Sequence, residues 1–252
     1  LIAASLRSRS GNLTPELLVQ LVTVGTPEGT WSPAAALEHV AQMPDERKQR
    51  DCLAALVAAD IRLPMARAIE IARAIDDEWH RAAALATLAP HLSPDLLGEA
   101  LEIARAIDAE DARAHALEAL APHLPPDLLV EALAEARTIY DERSRAHALA
   151  ALAPRLLPNL LAEALAAARA IIDELRRAFT LAALAPQLAQ HPALAQHFLP
   201  TLRGLARRPR DELLSNLTAL AAWIGAIAAW RGQPAPPVAL AQAVVDVGRC
   251  WR

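Results

Sequence analysis

The sequence predicts an all-α protein: a right-handed α-solenoid of antiparallel helix pairs with a 32-residue repeat. Three observations lead there. The stretch RAHALEALAPHLPPDLLVEALAEAR (113–137) returns as RAHALAALAPRLLPNLLAEALAAAR (145–169), and self-similarity at a fixed period of this size marks a repeat architecture. Arg81, Arg113, Arg145 and Arg177 differ successively by 32, as do Leu85, Leu117, Leu149 and Leu181, and Pro90, Pro122, Pro154 and Pro186. Finally, 54% of the chain is hydrophobic but only 3% is aromatic. Its apolar content is mostly Ala and Leu, which favour helix, and few stretches alternate as a strand would.

Residues 1–44 read as an N-terminal helical cap or degenerate repeat, in which Thr14-Pro15-Glu16 and Ser32-Pro33 are helix start signals. Residues 45–172 hold the regular helix-pair repeats. Within one unit, acidic Asp77-Glu78 favours the positive end of the first helix dipole. Ala82, Leu85, Leu88, Ala89 and Leu92 then form one apolar stripe. Pro90 stops or kinks that helix, and Ser93-Pro94-Asp95 opens the second, with Leu97, Ala100, Leu101, Ala104 and Ile107 on its buried face. Residues 173–252 hold divergent repeats and a C-terminal cap, because the period drifts after Pro186. The count is six helix pairs, four of them between about 45 and 172. A lone pair buries too little to stand alone, so each must stack on its neighbours.

This layout resembles the HEAT-like and tetratricopeptide-like superfamily of solenoids over about residues 33–252. It departs from the tetratricopeptide pattern, which needs 34 residues and its own Trp, Leu-Gly and Tyr positions. The phrasing ALAPHLPPDLLVEALAEARTI is similar to repeat arrays in large bacterial signalling proteins, including STAND-type ATPases, where such arrays act as sensor or scaffold arms. The resemblance implies an arm of a larger chain. No G-x-x-x-x-G-K-[ST] loop is present in the sequence, and GTPEGT at Gly25 lacks the lysine and reads as a turn.

The totals exclude several classes. A net charge of −4 argues against general nucleic-acid binding, which needs a basic footprint. Two cysteines, Cys52 and Cys250, are too few for a disulfide framework and fit a cytoplasmic location. LIAASLRSRSGN at the start reads as a cut from a longer chain and not as a signal peptide. Asn12 and Asn216, which begin Asn-x-Thr triplets, are then chance matches. The uncharged run Leu213 to Trp230 has the length of a membrane span, but its Ser215, Asn216 and Thr218 favour a buried terminal helix of the solenoid.

Catalytic and metal chemistry find little support. His91 and His123 share a column one repeat apart, too far to hold one zinc ion, and His191 and His197 lack an i,i+4 spacing. G-x-S-x-G, H-E-x-x-H and C-x-x-C are absent. Cys52 lies in an apolar run and reads as an inert buried thiol. No enzyme activity, cofactor or metal is expected.

Candidate binding residues are of three kinds. The column Arg81, Arg113, Arg145 and Arg177 either binds an acidic segment or phosphate, or serves the fold through the acids that recur with it, such as Glu78 and Glu142 three residues earlier. Columns Arg73/105/137/169 and Glu99/131/163 share that ambiguity. Arg203, Arg207, Arg208 and Arg210 cluster where the period breaks. Trp79 replaces Asp111, Arg143 and Leu175 of its column and is expected to be partly exposed, whereas Trp223, Trp230 and Trp251 are expected to fill a terminal core. The expected function is a non-enzymatic module binding a protein or peptide, or other domains of its parent chain, with self-association through the solenoid ends as a further partner class. The alternative is a sensor that takes a nucleotide or other anion.

Overall fold

A computed structural model describes residues 13–23, 31–207 and 209–230. Among these the chain is all-helical. Fourteen α-helices follow one another: α1 (Pro15–Thr23), α2 (Pro33–Ala41), α3 (Glu46–Ala58), α4 (Met65–Arg73), α5 (Glu78–Leu88), α6 (Pro94–Arg105), α7 (Glu110–Leu120), α8 (Leu128–Thr138), α9 (Glu142–Leu152), α10 (Pro158–Ala170), α11 (Glu174–Gln190), α12 (Phe198–Leu205), α13 (Arg210–Ala219) and α14 (Ala221–Trp230).

The chain divides into two compact units, Leu1–Pro125 and Pro126–Arg252. In the first, α1 packs on α3, α3 on α5 and α5 on α7, while α2 packs on α4 and α4 on α6. In the second, α8 packs on α10, α9 on α11, and α11 on both α13 and α14. Apart from α14, which packs on α11, odd helices therefore form one layer and even helices another, a solenoid-like arrangement within each unit.

The start signals work as chemistry requires. Thr14 Oγ1 accepts from the Leu17 amide at 3.3 Å, and Ser32 Oγ from Ala35 at 3.1 Å. Asp45, Asp77, Asp141 and Asp173 each cap an odd-numbered helix by accepting backbone amides two or three residues on. The column has one gap: Ala109 takes the same extended conformation before α7 but has no side chain to cap with. Ser93 precedes α6 in cap geometry yet makes no capping hydrogen bond through its hydroxyl.

The stripes read from the sequence are the core. Ala82, Leu85, Leu88 and Ala89 are buried on α5 and its end, and Leu97, Ala100, Leu101, Ala104 and Ile107 on and after α6. Leu92 is only partly buried. Small Ala side chains let neighbouring helices approach closely.

One column member departs from its copies, and one expectation needs correction. Pro90 and Pro154 end their helices in single 3₁₀ turns, but Pro186 lies inside α11. The cause is four residues downstream: Pro94, Pro126 and Pro158 open or precede the next helix, and Gln190 takes their place after Pro186, so nothing restarts the chain. Secondly, the uncharged run from Leu213 forms two short helices, not one. The first of them, α13, ends at Ala219, one residue after Thr218, whose Oγ1 bonds back to the Leu214 carbonyl at 2.9 Å. No helix among the described residues is long and apolar enough to cross a membrane.

Candidate functional site

Each odd helix is preceded by a tight loop whose backbone polar groups must find partners. Two repeating side chains supply them. The arginine column reaches back: Arg81 donates to the carbonyls of Ile75 (2.8 Å) and Asp76 (3.2 Å), Arg113 to Ile107 (3.2 Å), Arg145 to Ile139 (2.9 Å) and Tyr140 (3.2 Å), and Arg177 to Ile171 (3.0 Å) and Ile172 (2.8 Å). A glutamate at the first helical position reaches forward into the next repeat. Glu46 accepts from the amides of Asp76 and Asp77, Glu78 from Asp108 and Ala109, and Glu142 from Ile172 and Asp173, all at 2.7–2.9 Å. Carbonyls and amides of one loop are thus held from opposite sides.

These bonds set the carboxylate charges. The Asp108 and Ala109 amides hold Glu78 below the usual glutamate range. Burial pushes Glu142 up, but the Ile172 and Asp173 amides outweigh it and leave it lowered. The cap carboxylates Asp77, Asp141 and Asp173 are lowered first by the helix amides they accept.

The predicted arginines fall into different environments. Arg81, Arg113 and Arg145 are partly buried in the clamp; Arg113 and Arg145 also approach Glu110 (3.7 Å) and Glu142 (3.3 Å). Arg177 is fully buried and donates further to Asn216 (3.1 Å) and Glu212 (2.7 Å). On the even helices, Arg73 pairs with Glu99 of the next repeat (3.4 Å) and Arg137 with Glu163 (2.7 Å). Arg203 on α12, Arg207 after it and Arg210 at the start of α13 are exposed, with no hydrogen bond or ion pair among the described residues. Arg208 lies outside the described residues, as do Cys250 and Trp251.

Trp79 is half exposed and stacks on His115, ring centroids 5.2 Å apart. Trp223 is buried, with Phe198 edge-on at 5.4 Å. Cys52 is buried too, and burial with nearby acids pushes its thiol up to about 11, far from a thiolate at neutral pH.

What the sequence reading passed over is the side chain that each clamped loop presents. That position is Asp76 and Asp108 in the first unit and Tyr140 and Ile172 in the second, and all four are exposed. The adjoining column Trp79, Asp111, Arg143, Leu175 and the next, Ala83, His115, His147, Phe179, follow four residues apart, so within each repeat the two share one helix face. In the second unit these columns converge on apolar chemistry. Tyr140 is 88% exposed, Ile172 75% and Leu175 74%, and Phe179 packs its half-exposed ring against His147 at 5.4 Å.

Two adjoining hollows shape that surface. An open groove of about 970 Å³ runs past Tyr140, Arg143, Ile172 and Arg176, floored by Ala166, Ala167 and Ala170 at the end of α10. A smaller cleft of about 170 Å³ is lined by Arg143, Ala146, His147, Leu175, Arg176 and Phe179. The signal for this site was present in the repeat alignment, as a departure from acid at 76 and 108 to Tyr140 and Ile172. Among the described residues, no three His, Cys, Asp or Glu side chains gather as a metal site would require.

No family model matches the chain, and neither a curated protein nor a solved structure matches it.

Proposed function

We propose that this chain is a non-enzymatic helical-repeat module for protein–protein interaction. In this reading it is a right-handed solenoid arm, sensing or scaffolding within a larger bacterial signalling or defence protein. One observation carries the reading: Tyr140, Ile172, Leu175 and Phe179 are large apolar side chains left exposed around two adjoining hollows that share Arg143 and Arg176, on a backbone held by the loop clamp. Contiguous exposed apolar surface marks interaction sites, and Tyr and Arg are enriched among residues that dominate binding energy. The clamp supports it further, since a pre-ordered surface loses less entropy on binding. Selection of a displayed random peptide library on the full chain tests this. Enriched peptides should lose binding to Phe179→Ala and keep it with Arg73→Ala; enrichment indifferent to Phe179 sinks the reading.

A second reading, a sensor for a nucleotide or other anion, is favoured by the exposed Arg203, Arg207 and Arg210, which lack acidic partners among the described residues. Titration with ATP and with pyrophosphate tests it. Saturable binding lost in the Arg203→Ala/Arg207→Ala/Arg210→Ala variant supports it, and no saturable binding removes it.

A further inference from the structure

The small cleft of the second unit has a chemistry that selects its occupant. Its apolar walls are Ala146, His147, Leu175 and Phe179. The cleft is open to solvent and holds about 170 Å³, room for one ring or branched aliphatic group against its walls. Two arginines and no carboxylate complete its lining. Arg143 is exposed and makes no hydrogen bond or ion pair among the described residues. Arg176 spends one guanidinium nitrogen on Asp173 at 3.1 Å, and its side chain stays about a third exposed.

The nearby acids each hold a backbone amide, and Asp141 and Asp173 also face these arginines. Asp141 accepts from the Ser144 amide at 2.7 Å and Asp173 from the Arg176 amide at 2.9 Å, both closing helix N-termini. Glu142 is held by two loop amides. The cleft therefore offers apolar walls and two arginines with no carboxylate in its own lining, while the neighbouring Asp141 and Asp173 lie outside it. The hollow of the first unit beside Pro44, Asp45, Glu46, Arg47, Asp77 and His80 is the counterpart of the large groove, three repeats earlier, and Tyr140 and Arg176 of that groove replace its Pro44 and His80.

We propose that the cleft of the second unit binds an acidic protein segment through one aliphatic or aromatic anchor. The anchor enters between Leu175, Phe179 and His147, and a flanking carboxylate pairs with Arg143 and Arg176. This rests on the interaction-module reading and specifies the partner class of the same surface. Charge complementarity at the rim sets selectivity and association rate, while the desolvated anchor contributes most of the affinity. A nucleic acid is disfavoured, because two arginines offer little counterion release beside so many acids.

Fluorescence anisotropy with labelled synthetic peptides tests the proposal on the full chain. Each peptide has a central Leu or Phe flanked by Asp and Glu, with Lys-flanked and Ala-centred controls. The acidic, anchored peptides should bind saturably. Ala at the centre, or Phe179→Ala in the protein, should weaken binding about tenfold or more, as for a buried hot spot. Arg143→Ala with Arg176→Ala should weaken it by about fivefold and flatten its salt dependence. Equal binding of Lys-flanked peptides, still lost in Phe179→Ala, would overturn the acidic partner yet leave the interaction surface standing. Binding of neither set overturns the proposal, and so does concentration-dependent dimerisation of the chain that Phe179→Ala abolishes, which would assign the cleft to a second copy.

Discussion

The two units use the same scaffold and present different surfaces. In both, a column arginine ties the loop carbonyls and a glutamate from the preceding repeat ties the loop amides. Above that shared clamp the first unit displays Asp76 and Asp108 and the second Tyr140 and Ile172. The difference teaches where the fold is indifferent. Once the loop backbone is satisfied, its outward side chain is free to vary without cost to packing. The residues that repeat therefore hold the structure, and those that break the repeat are free to act.

The sharpest test compares one column across the units. Arg177→Ala should destabilise the chain by about 3–5 kcal/mol, the usual cost of breaking a buried charged network, because Glu212 and two loop carbonyls lose their donor. Arg81→Ala, in a partly exposed copy, should cost about 1 kcal/mol. Urea denaturation of both variants measures the gap; equal losses would break the distinction between buried and open clamps.

Acid should loosen both units. Glu78 and Glu142 have folded pKa values below their ordinary 4.5. Depressed acids bind fewer protons folded than unfolded, so their stabilisation is complete above that ordinary value and is lost as pH falls through the lower folded value. Glu142→Gln keeps one acceptor but turns its amide nitrogen towards a loop N–H. It should cost about 1–2 kcal/mol at neutral pH and leave a shallower stability loss below pH 4.5. An unchanged acid profile would mean that this carboxylate does not support the loop.

Filling the gap in the cap column should help. Ala109→Asp places a capping carboxylate in a backbone already shaped for one and should add about 1 kcal/mol, read as a raised urea midpoint. The smallest effect belongs to the exposed ion pairs. Arg73→Ala and Arg137→Ala should each change stability by less than about 1 kcal/mol, whichever unit they occupy.

The helical repeat, both apolar stripes and the start signals at Pro15 and Pro33 could be read directly, because each depends on neighbours within a few residues. Pro186 could not be read from its column alone; its fate depended on the missing proline at position 190. The split of the terminal apolar run at Leu220 had no local signal, since Ser215, Asn216 and Thr218 marked the run as non-membranous without placing a break. Glutamates at helix starts looked like simple dipole partners, since nothing local reveals that they reach about thirty residues ahead. Trp79 stood out by bulk, whereas the Tyr140–Phe179 surface is assembled from two repeats and emerges only when three columns are seen side by side.

The central claim is that the apolar surface of the second unit is dispensable for folding. Urea unfolding of a variant carrying Tyr140→Ser, Ile172→Ser, Leu175→Ser and Phe179→Ser tests it directly, with Leu181→Ala as the core reference. The four surface substitutions together should change stability by no more than about 1 kcal/mol, against roughly 2–5 kcal/mol for the single buried leucine. A loss in the fourfold variant as large as that of Leu181→Ala would contradict it and return those side chains to the core.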